Sequence, residues 1–446
     1  MRTLLNMANP LGGLLKDQPL NEDQSYRLMH FVVQLPVEGG LLLYHMMTKS
    51  LVLLDPSEAA RMQEAPASIP ELVAHWFVVP QDFDDRRLAQ EVRAVGRMLA
   101  DPVKGIRRYT ILTTTDCNAR CFYCYEKGRS RIPMTDRIAE ETARYIADNA
   151  PEGTIRLRWF GGEPLYNKRA ISLICSLLSE KGMPFQSSMV SNGFLFDPET
   201  LSEAVQSWKL EKVQITLDGT ESVYNRTKAY VDPGDNPFQR VFGNVRSLVD
   251  AGVRVNIRLN IDRHNADDLF SLVDLLGDAF GDNPLVNVYS HSLFEACDPK
   301  AAVRHNDVQR RKLFDKQMRL RDHIRKLGLS HQFQLSSFVK LNRCMADDDG
   351  SVVILPDGHI GKCEHFSDSE WFGSILDGAR DEGVLEAFKA LRPELEDCSC
   401  CPLYPDCFRL SKCEETVHCY PEEREEKLTA ILQCIESYYR SYEVQD

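Results

Sequence analysis

The feature that most constrains how this chain can fold is a regular alternation of strand-like and helix-like segments between residues 105 and 295. Short apolar runs rich in β-branched residues predict buried strands, and each is followed by a helix-like segment. The predicted strands are Tyr109–Thr113, Ile155–Trp159, Phe185–Val190, Val213–Leu217, Val253–Leu259 and Leu285–Ser290, with helices predicted over 135–149, 169–181, 198–208, 240–251 and 266–280. Such units predict a parallel sheet covered by helices, and their fixed handedness curls it into a partial (β/α)6 barrel of the TIM type.

The segments on either side of this barrel, predicted over residues 104–298, have a different character. Residues 1–103 hold two strand-like runs around the turn Val37–Gly40 and two helical patterns, which predict a small winged-helix-like α+β domain. Residues 299–343 are highly charged and predict a helical bridge. Residues 344–446 are rich in cysteine and have few long periodic runs, which is typical of a domain organised by bound metal. The predicted fold class is therefore α/β with two smaller flanking domains.

The composition limits the partners that we expect. A net charge of −13 argues against binding to a phosphate backbone, so no nucleic-acid partner is expected. No apolar run reaches the roughly 20 residues that a membrane helix needs. The first apolar stretch is interrupted by Asn6, Asn9 and Pro10 and lacks the core of a signal peptide. We therefore expect a cytoplasmic protein without a membrane partner.

The chain has 14 cysteines, and their placement favours metal binding. Three fall within eight residues at Cys117, Cys121 and Cys124, and nine lie between Cys344 and Cys434. Clustered cysteines in a reducing compartment more often bind metal than form disulfides. Cys175 and Cys297 stand alone in the sequence, and we interpret them as small buried apolar residues.

The first cysteine cluster is placed for chemistry. It follows the first predicted strand, and functional groups in such barrels lie at the C-terminal ends of the strands. Thiolates suit soft metals and iron–sulfur clusters, and three thiolates leave one iron of a four-iron cubane open to another ligand. The alternative interpretation is a zinc site that lacks one ligand.

The spacing Cys117-x3-Cys121-x2-Cys124, with the aromatic Tyr123 before the last cysteine, resembles the radical S-adenosylmethionine (SAM) superfamily. The resemblance implies that the methionine amine and carboxylate of SAM chelate the open iron. It also implies that an electron from the [4Fe-4S] cluster cleaves SAM, and that the resulting 5′-deoxyadenosyl radical abstracts a substrate hydrogen. In this interpretation Tyr123 lies near the adenine.

Further motifs match the same superfamily in the expected order. The turn Gly161-Gly162-Glu163-Pro164 follows the second strand, and the resemblance implies that it binds the methionine amine. Ser191 and Asn192 end the third strand and resemble the family's polar contact with the nucleoside or methionine portion. Asp218 ends the fourth strand. Arg258 and Asn260 end the fifth, where Arg258 is a candidate partner of the methionine carboxylate or, alternatively, a surface charge.

The C-terminal cysteines resemble the SPASM extension of radical SAM enzymes, which implies two auxiliary [4Fe-4S] clusters. One would use Cys344, Cys363 and Cys413 with Cys419 as a possible fourth ligand, and the other Cys398, Cys401, Cys407 and Cys434. The match departs from the family pattern, because five residues instead of three separate Cys407 from Cys413, and Cys400 and Cys419 are additional. The assignment of the last cysteines is therefore open. The alternative is a pair of zinc knuckles.

The resemblance predicts an oxidoreductase acting on a peptide or protein. SPASM enzymes include maturases that form thioethers or other crosslinks in ribosomal peptides, and anaerobic sulfatase maturases that make formylglycine. The long segment before Cys117 favours a peptide maturase, with the leader of a precursor peptide bound by the N-terminal domain. A flavodoxin- or ferredoxin-type protein is the expected reductant. No residue is singled out as the general base, and a zinc-organised, non-catalytic interaction protein is the alternative from another class.

Overall fold

The computed structural model describes residues 1–5, 15, 17–21, 23–99, 105–293, 307–331, 335, 340–366, 370–378, 380–413, 416 and 419–443. Cys297, which is predicted to be buried, lies outside these ranges. The chain divides into two compact units. The terminal unit comprises Met1–Pro102, Phe333–Arg343 and Leu391–Asp446, and the central unit comprises Val103–Gln332 and Cys344–Ala390.

The N-terminal part of the terminal unit is an antiparallel sheet with helices. Its elements are β1 (Arg2–Leu5), β2 (Tyr26–Leu28), β3 (Val32–Val37), β4 (Gly40–His45), β5 (Leu51–Leu54), α1 (Pro56–Glu64), α2 (Pro70–Ala74), β6 (Val78–Pro80) and α3 (Asp85–Leu99). The sheet order is β1-β5-β4-β3, and β2 pairs separately with β6. The predicted turn is present, because Val37 pairs with Gly40 across a tight connection. The Asp55 side chain caps helix α1 in a capping box with Glu58.

The central unit alternates strands and helices along the chain. Its elements are β7 (Arg108–Thr114), α4 (Asp136–Asn149), β8 (Ile155–Gly161), α5 (Lys168–Glu180), β9 (Phe185–Ser191), α6 (Pro198–Gln206), β10 (Leu210–Thr216), α7 (Glu221–Lys228), α8 (Pro237–Asp250), β11 (Arg254–Ile261), α9 (Asp268–Phe280), β12 (Val286–Ser292), α10 (Asp307–Lys326), β13 (Ser351–Ile354), β14 (His359–Gly361), β15 (Gly373–Ser374) and α11 (Glu382–Lys389).

One nine-stranded sheet forms the core of the central unit, in the order β12-β11-β10-β9-β8-β7-β13-β14-β15. Strands β7 to β12 are parallel and correspond to the six predicted strands. The predicted α/β fold class with a parallel central sheet is confirmed. The side chains that fill this core are the predicted apolar runs, for example Ile111, Leu157 and Val255, each almost completely buried.

Three strands of the central sheet were not predicted from the sequence. β13 adds in parallel beside β7, and β14 and β15 extend the sheet in antiparallel fashion. They are two to four residues long, which is too short for a periodic signal. Helix α7 was also not predicted, because its pattern covers only two turns before the prolines at 233 and 237.

The C-terminal part of the chain ends in a long helix, α12 (Pro421–Glu443). Ile435 and Tyr439 of α12 pack in one hydrophobic core with residues of the N-terminal sheet, including Phe31 and Leu43. Among the described residues, no helix combines the length and the apolar character required to cross a membrane.

Candidate active site

The candidate active site lies along the C-terminal ends of β7, β8, β9 and β10. The loop with Cys117, Cys121 and Cys124 follows β7 directly. Because parallel strands end at one edge of a sheet, the residues that follow neighbouring strands meet there. The contacts described below bring this loop together with most of the residues that the sequence singles out.

The turn after β8 holds the start of the cysteine loop. The Gly162 N–H donates to the Thr114 carbonyl at 3.0 Å, and the Glu163 N–H donates to the Asp116 carbonyl at 2.9 Å. Gly161 has φ of +125°, and a Cβ there would lie 2.1 Å from the Thr114 oxygen. The two glycines are therefore needed because the backbones approach too closely for a side chain. Pro164 is buried behind the turn and accepts from the Thr113 hydroxyl at 3.0 Å.

Gly162→Ala is expected to displace the cysteine loop, because the new Cβ would lie 2.3 Å from the Asp116 carbonyl oxygen, a backbone atom. Overpacking of this kind costs about 1–3 kcal/mol. We expect a lower urea midpoint and loss of iron after anaerobic reconstitution. Gly243→Ala on α8 is the matched control, since nothing lies within 4 Å of a Cβ there. Full iron content in Gly162→Ala would contradict the prediction.

The end of α7 holds the other side of the cysteine loop. The Arg120 N–H donates to the Lys228 carbonyl at 2.8 Å, and the Val231 N–H donates to the Asn118 carbonyl at 2.8 Å. Between them, Ala229 has the left-handed backbone angles φ 46° and ψ 59°. Such a conformation is unfavourable for a residue with a side chain and persists where surrounding contacts fix it. The loop is thus fixed from both flanks.

Glu163 lies at the centre of the polar contacts and is 0% exposed. Its Oε1 accepts from the Ser191 hydroxyl at 2.8 Å, and its Oε2 accepts from the Asn192 N–H at 2.8 Å. Burial raises the pKa of this carboxyl to about 7, although these donors lower it again. The Asn192 amide donates to Asn118 Oδ1 at 2.7 Å, beside the Cys117 sulfur. Glu163, Ser191 and Asn192 therefore converge on the cysteine loop.

Tyr123, Asp218 and Lys228 form a second buried group on the loop. Asp218 is 1% exposed, and its Oδ2 accepts from the Tyr123 hydroxyl at 2.8 Å and pairs with Lys228 Nζ at 3.0 Å. Lys228 Nζ also donates to the Tyr123 oxygen at 3.0 Å. The Asp218 and Tyr123 charges raise the pKa of Lys228 above its usual value in spite of burial, so the lysine is charged. The role of Lys228 was not predicted, because the helix α7 on which it lies was not predicted from the sequence.

The buried polar atoms at this edge include Asn118 Nδ2, a donor, and Asp218 Oδ1, an acceptor, neither of which has a hydrogen-bond partner within the described ranges. Unsatisfied buried polar groups are uncommon in native proteins and require an explanation. A polar ligand with both acceptors and donors, such as an amino acid joined to a nucleoside, fits the pair.

Arg258 and Asn260 form a pair on β11. Arg258 Nε donates to Asn260 Oδ1 at 2.9 Å. The Asn265 amide bridges the carbonyls of Asp218 and Asn260 at 2.9 and 2.7 Å, which connects this strand end to that of β10. Arg258 is half-buried within the sheet beside Thr216 and Tyr289.

The three thiols of the loop are half-buried and free of disulfides. Burial raises the pKa of the Cys117 thiol to about 12, and the charges of Glu163, Cys121 and Cys124 raise it further. Such thiols stay protonated at neutral pH unless a metal replaces the proton. The Ala119 N–H points to the Cys117 sulfur at 3.4 Å, a donor that favours the anionic form. Three thiols in mutual electrostatic contact fit a soft metal cluster.

The residues after Cys124 include the buried acid Glu126, which was not predicted as a site residue from the sequence. Burial raises the pKa of Glu126 to about 7, and its Oε1 has no hydrogen-bond partner in the described part of the chain. Next to it, the Tyr125 ring stacks on His365 at 4.6 Å, and Arg129 donates to the His365 carbonyl at 2.7 Å. The cysteine loop therefore packs against the segment that follows Cys363.

Two further cysteines of the central unit, Cys344 and Cys363, flank the segment that forms β13 and β14. Buried Lys362, adjacent to Cys363, donates through Nζ to the carbonyls of Asp348 and Ser351 at 2.7 and 2.8 Å. The Cys344 sulfur accepts from the Ala346 N–H at 3.4 Å. The lysine beside Cys363 thus connects the end of β14 to the turn before β13.

Four cysteines of the terminal unit lie close to one another. Burial raises the pKa of the Cys407 thiol, and the charges of Cys419 and Cys398 add to this rise. Burial likewise raises the pKa of Cys401, with contributions from Cys407 and Cys419. The structure therefore brings Cys419 to the other three. Cys413 lies between them in the chain and begins a turn stabilised by the Thr416 hydroxyl.

Cys434 lies further along α12. Arg424, in the first turns of α12, pairs with Asp397 at 3.1 Å, next to Cys398. Cys434 follows ten residues later, which is about 15 Å further along the helix axis. Burial raises the pKa of the Tyr44 hydroxyl on β4, and the charges of Asp406 and Cys434 raise it further. Cys434 therefore lies near Tyr44.

No three His, Cys, Asp or Glu side chains in the described ranges are close enough together to hold a single metal ion.

Comparison with known proteins finds similarity over much of the central sheet. Residues 111–276 match the Radical SAM superfamily. Fe-coproporphyrin III synthase of Methanosarcina barkeri is 26% identical over 163 residues, which cover 36% of this chain and 39% of that protein. GTP 3′,8-cyclase of Nitrobacter winogradskyi is 26% identical over 183 residues, which cover 40% and 52%. The chain thus spans about half or less of the length of these relatives.

Solved structures share the fold over a larger part of the chain. The structure of native anSMEcpe with bound AdoMet covers 75% of this chain and 99% of its own, with a TM-score of 0.57 and 16% identity. Streptococcus suis SuiB bound to precursor peptide SuiA covers 88% of this chain and 94% of its own, with a TM-score of 0.51 and 14% identity. At these identities the likeness concerns the fold.

Proposed function

We propose that this chain, whose residues 111–276 match the Radical SAM superfamily, is a peptide maturase that abstracts hydrogen from a ribosomal precursor peptide and forms a thioether or other crosslink. The observation that carries the proposal is the convergence of the Cys117 loop with Glu163, Ser191 and Asn192 at one sheet edge. This edge offers three thiols for a cluster and, beside them, buried polar groups for an amino-acid ligand.

The residues at this edge have distinct roles in the proposal. Cys117, Cys121 and Cys124 hold a [4Fe-4S] cluster, which together with SAM supplies the electron transfer and bond cleavage that generate a hydrogen-abstracting radical. Glu163 and Ser191 fix the Asn192 amide beside Cys117, and this orients the amino-acid end of SAM. Further residues proposed to contact SAM are Tyr123, Gly161, Gly162, Pro164, Asp218, Arg258 and Asn260.

The Tyr123–Asp218–Lys228 group keeps the loop closed on one side. Asp218 and Lys228 neutralise each other in a buried site, and Tyr123 bonds to both. This contact fixes the segment between Cys121 and Cys124, so the thiols are positioned before the cluster binds. A preorganised site of this kind excludes water from the reacting groups.

Two observations support a peptide as the substrate. The fold is similar to structures described with a bound Cp18Cys peptide and with the precursor peptide SuiA. In the terminal unit, β3 pairs with β4 on one side and forms an edge of its sheet. An extended leader peptide can add to such an edge through main-chain hydrogen bonds.

We propose two auxiliary clusters with a revised set of ligands. Cys398, Cys401, Cys407 and Cys419 hold one cluster, because these four thiols are electrostatic neighbours. Cys344, Cys363 and Cys413 remain the proposed ligands of the other. In this revised set Cys434 is a half-buried thiol of α12 instead of a ligand.

Anaerobic reconstitution tests the cluster content. Three cubanes predict roughly twelve irons per chain and an equal amount of sulfide. The dithionite-reduced protein is expected to convert SAM to 5′-deoxyadenosine. A colourless protein that contains only zinc would contradict the proposal and favour the non-catalytic scaffold.

The substrate class is tested by coupling SAM cleavage to a product. A short cysteine-rich or repetitive peptide encoded beside this gene is expected to stimulate 5′-deoxyadenosine formation and to lose the mass of one hydrogen molecule per crosslink. The fold likeness to anSMEcpe makes a formylglycine-forming activity the second candidate. A carbonyl-reactive probe separates the two, because formylglycine is an aldehyde and a crosslink is not. Turnover of GTP without any effect of peptides would contradict both.

A further inference from the structure

The N-terminal sheet and the proposed Cys398–Cys401–Cys407 cluster site belong to one compact body. Both lie in the terminal unit and share one hydrophobic core, in which Tyr404 of the cysteine segment packs with Phe31. Their rings stack with a centroid distance of 6.0 Å and an interplanar angle of 11°. The Gln90 amide of α3 donates to the Tyr404 hydroxyl at 3.0 Å. Residues 1–99 therefore contribute to the scaffold of this site.

Arg93 of α3 contacts the backbone of a proposed ligand. Its Nη1 donates to the Cys407 carbonyl at 3.2 Å. Its guanidinium lies 4.6 Å from the ring centre of Tyr404 and 5.2 Å from that of Phe408, the residues on either side of this turn. Cation–π contacts and a charge-assisted hydrogen bond together fix the Cys407 turn on α3.

Lys49, in the turn between β4 and β5, is the second contact and is 1% exposed. Its Nζ pairs with Asp406 Oδ2 at 2.5 Å, and Asp406 immediately precedes Cys407. The other carboxylate oxygen of Asp406 accepts from the Lys340 N–H at 3.1 Å. A lysine is almost never buried unless it is paired, so this ion pair is a specific feature of the site.

The turn that carries Lys49 is built to hold it in this position. Lys49 has a left-handed φ of 60°, and its N–H donates to the His45 carbonyl at 2.8 Å. The buried His45 ring accepts from the Met47 and Thr48 N–H groups at 3.2 and 3.3 Å and contacts the Trp76 carbonyl at 3.1 Å. The local strain is compensated by these bonds, which place the Lys49 ammonium beneath Asp406.

We propose that Lys49 is a positioning residue for the iron–sulfur cluster at Cys398, Cys401 and Cys407, and that residues 1–99 are the second half of that cluster's scaffold. The inference rests on the auxiliary clusters of the proposed function. A cluster with thiolate ligands is anionic, and each added electron makes it more so. The Lys49 charge offsets that of Asp406 next to a ligand, so the pair sets the electrostatic potential at the cluster.

The test uses the full chain in a Cys117→Ala, Cys121→Ala, Cys124→Ala background, in which only auxiliary clusters bind iron. Lys49→Met, Asp406→Asn and the double variant are reconstituted, and the midpoint potentials are measured by EPR-monitored redox titration. We expect Lys49→Met to shift the potential of one cluster downwards, because an unbalanced anion remains. We expect Asp406→Asn to shift it upwards and the double variant to return towards the parent value.

The controls separate this inference from the proposed function. Arg87→Met removes a cation from the exposed Arg87–Glu91 pair of α3, where solvent screens the charge, and is expected to cause no shift. If Lys49→Met loses iron, recovery of iron in the double variant still supports the proposal. Equal shifts in one direction, no shift, or loss of iron in the double variant would overturn it. A parent background without iron would instead refute the auxiliary clusters themselves.

Discussion

Replacing Cys117, Cys121 and Cys124 with alanine is expected to abolish 5′-deoxyadenosine formation and to remove roughly one third of the bound iron, the share of one cubane among three. The three thiols lie in one loop that is fixed by Thr114 and Asp116 on one side and by Lys228 on the other. Nothing else in the described site supplies thiolates to this edge. The loss of activity should therefore be complete.

Cys175→Ala is the matched control for this prediction. Cys175 lies on α5 with 1% exposure in the hydrophobic core, away from any proposed cluster. It should retain its full iron content and cleave SAM at the wild-type rate. Iron analysis and chromatography of 5′-deoxyadenosine measure both effects, and SAM cleavage by the triple variant would show that the cluster assignment is wrong.

Lys228→Met is expected to lower the free energy of unfolding by about 3–5 kcal/mol, the usual cost of removing one partner of a buried ion pair. Asp218 would remain buried without its cation, with the Tyr123 hydroxyl as a donor to its Oδ2. Urea denaturation of the metal-free protein measures the change, because metal binding would otherwise contribute to stability.

The double variant Lys228→Met, Asp218→Asn tests whether the charge itself is responsible. Removing both charges should restore part of the lost stability, because no unpaired ion remains buried. Lys181→Met, at the exposed C-terminus of α5, is the control and should change stability by less than about 0.5 kcal/mol. A cost for Lys228→Met as small as that of the control would contradict the ion-pair interpretation.

The parallel sheet could be predicted from the sequence because its strands are buried on both faces and therefore read as continuous apolar runs. Residues around Ile111, Val255 and Val288 carry that signal. β13 to β15 could not be predicted, since strands of two to four residues acquire their conformation from the neighbouring β7 and not from their own pattern.

The site was predictable where a motif is local and not where it depends on tertiary contacts. Each of these two motifs, the cysteine loop and the Gly161–Pro164 turn, is formed by residues that follow one another closely in the sequence. Lys228 and Glu126 are ordinary charged residues until burial gives them a role. The proposed ligand Cys419 is a similar case. Its proximity to the other cysteines depends on the tertiary structure, which places the start of α12 beside Asp397.

The composition of the terminal unit has a consequence for biosynthesis. Residues 1–99 leave the ribosome before the central unit, yet part of their hydrophobic core is supplied by Leu403, Tyr404, Ile435 and Tyr439, which follow the central unit in the chain. Contacts between such distant parts of a chain form slowly, since the loop between them must be closed before they contribute. The apolar face of the N-terminal sheet therefore stays partly uncovered while the central unit is translated and folds. We therefore expect that production of the active protein requires chaperones that shield this face. We expect that it also requires iron–sulfur assembly proteins that act after release of the chain.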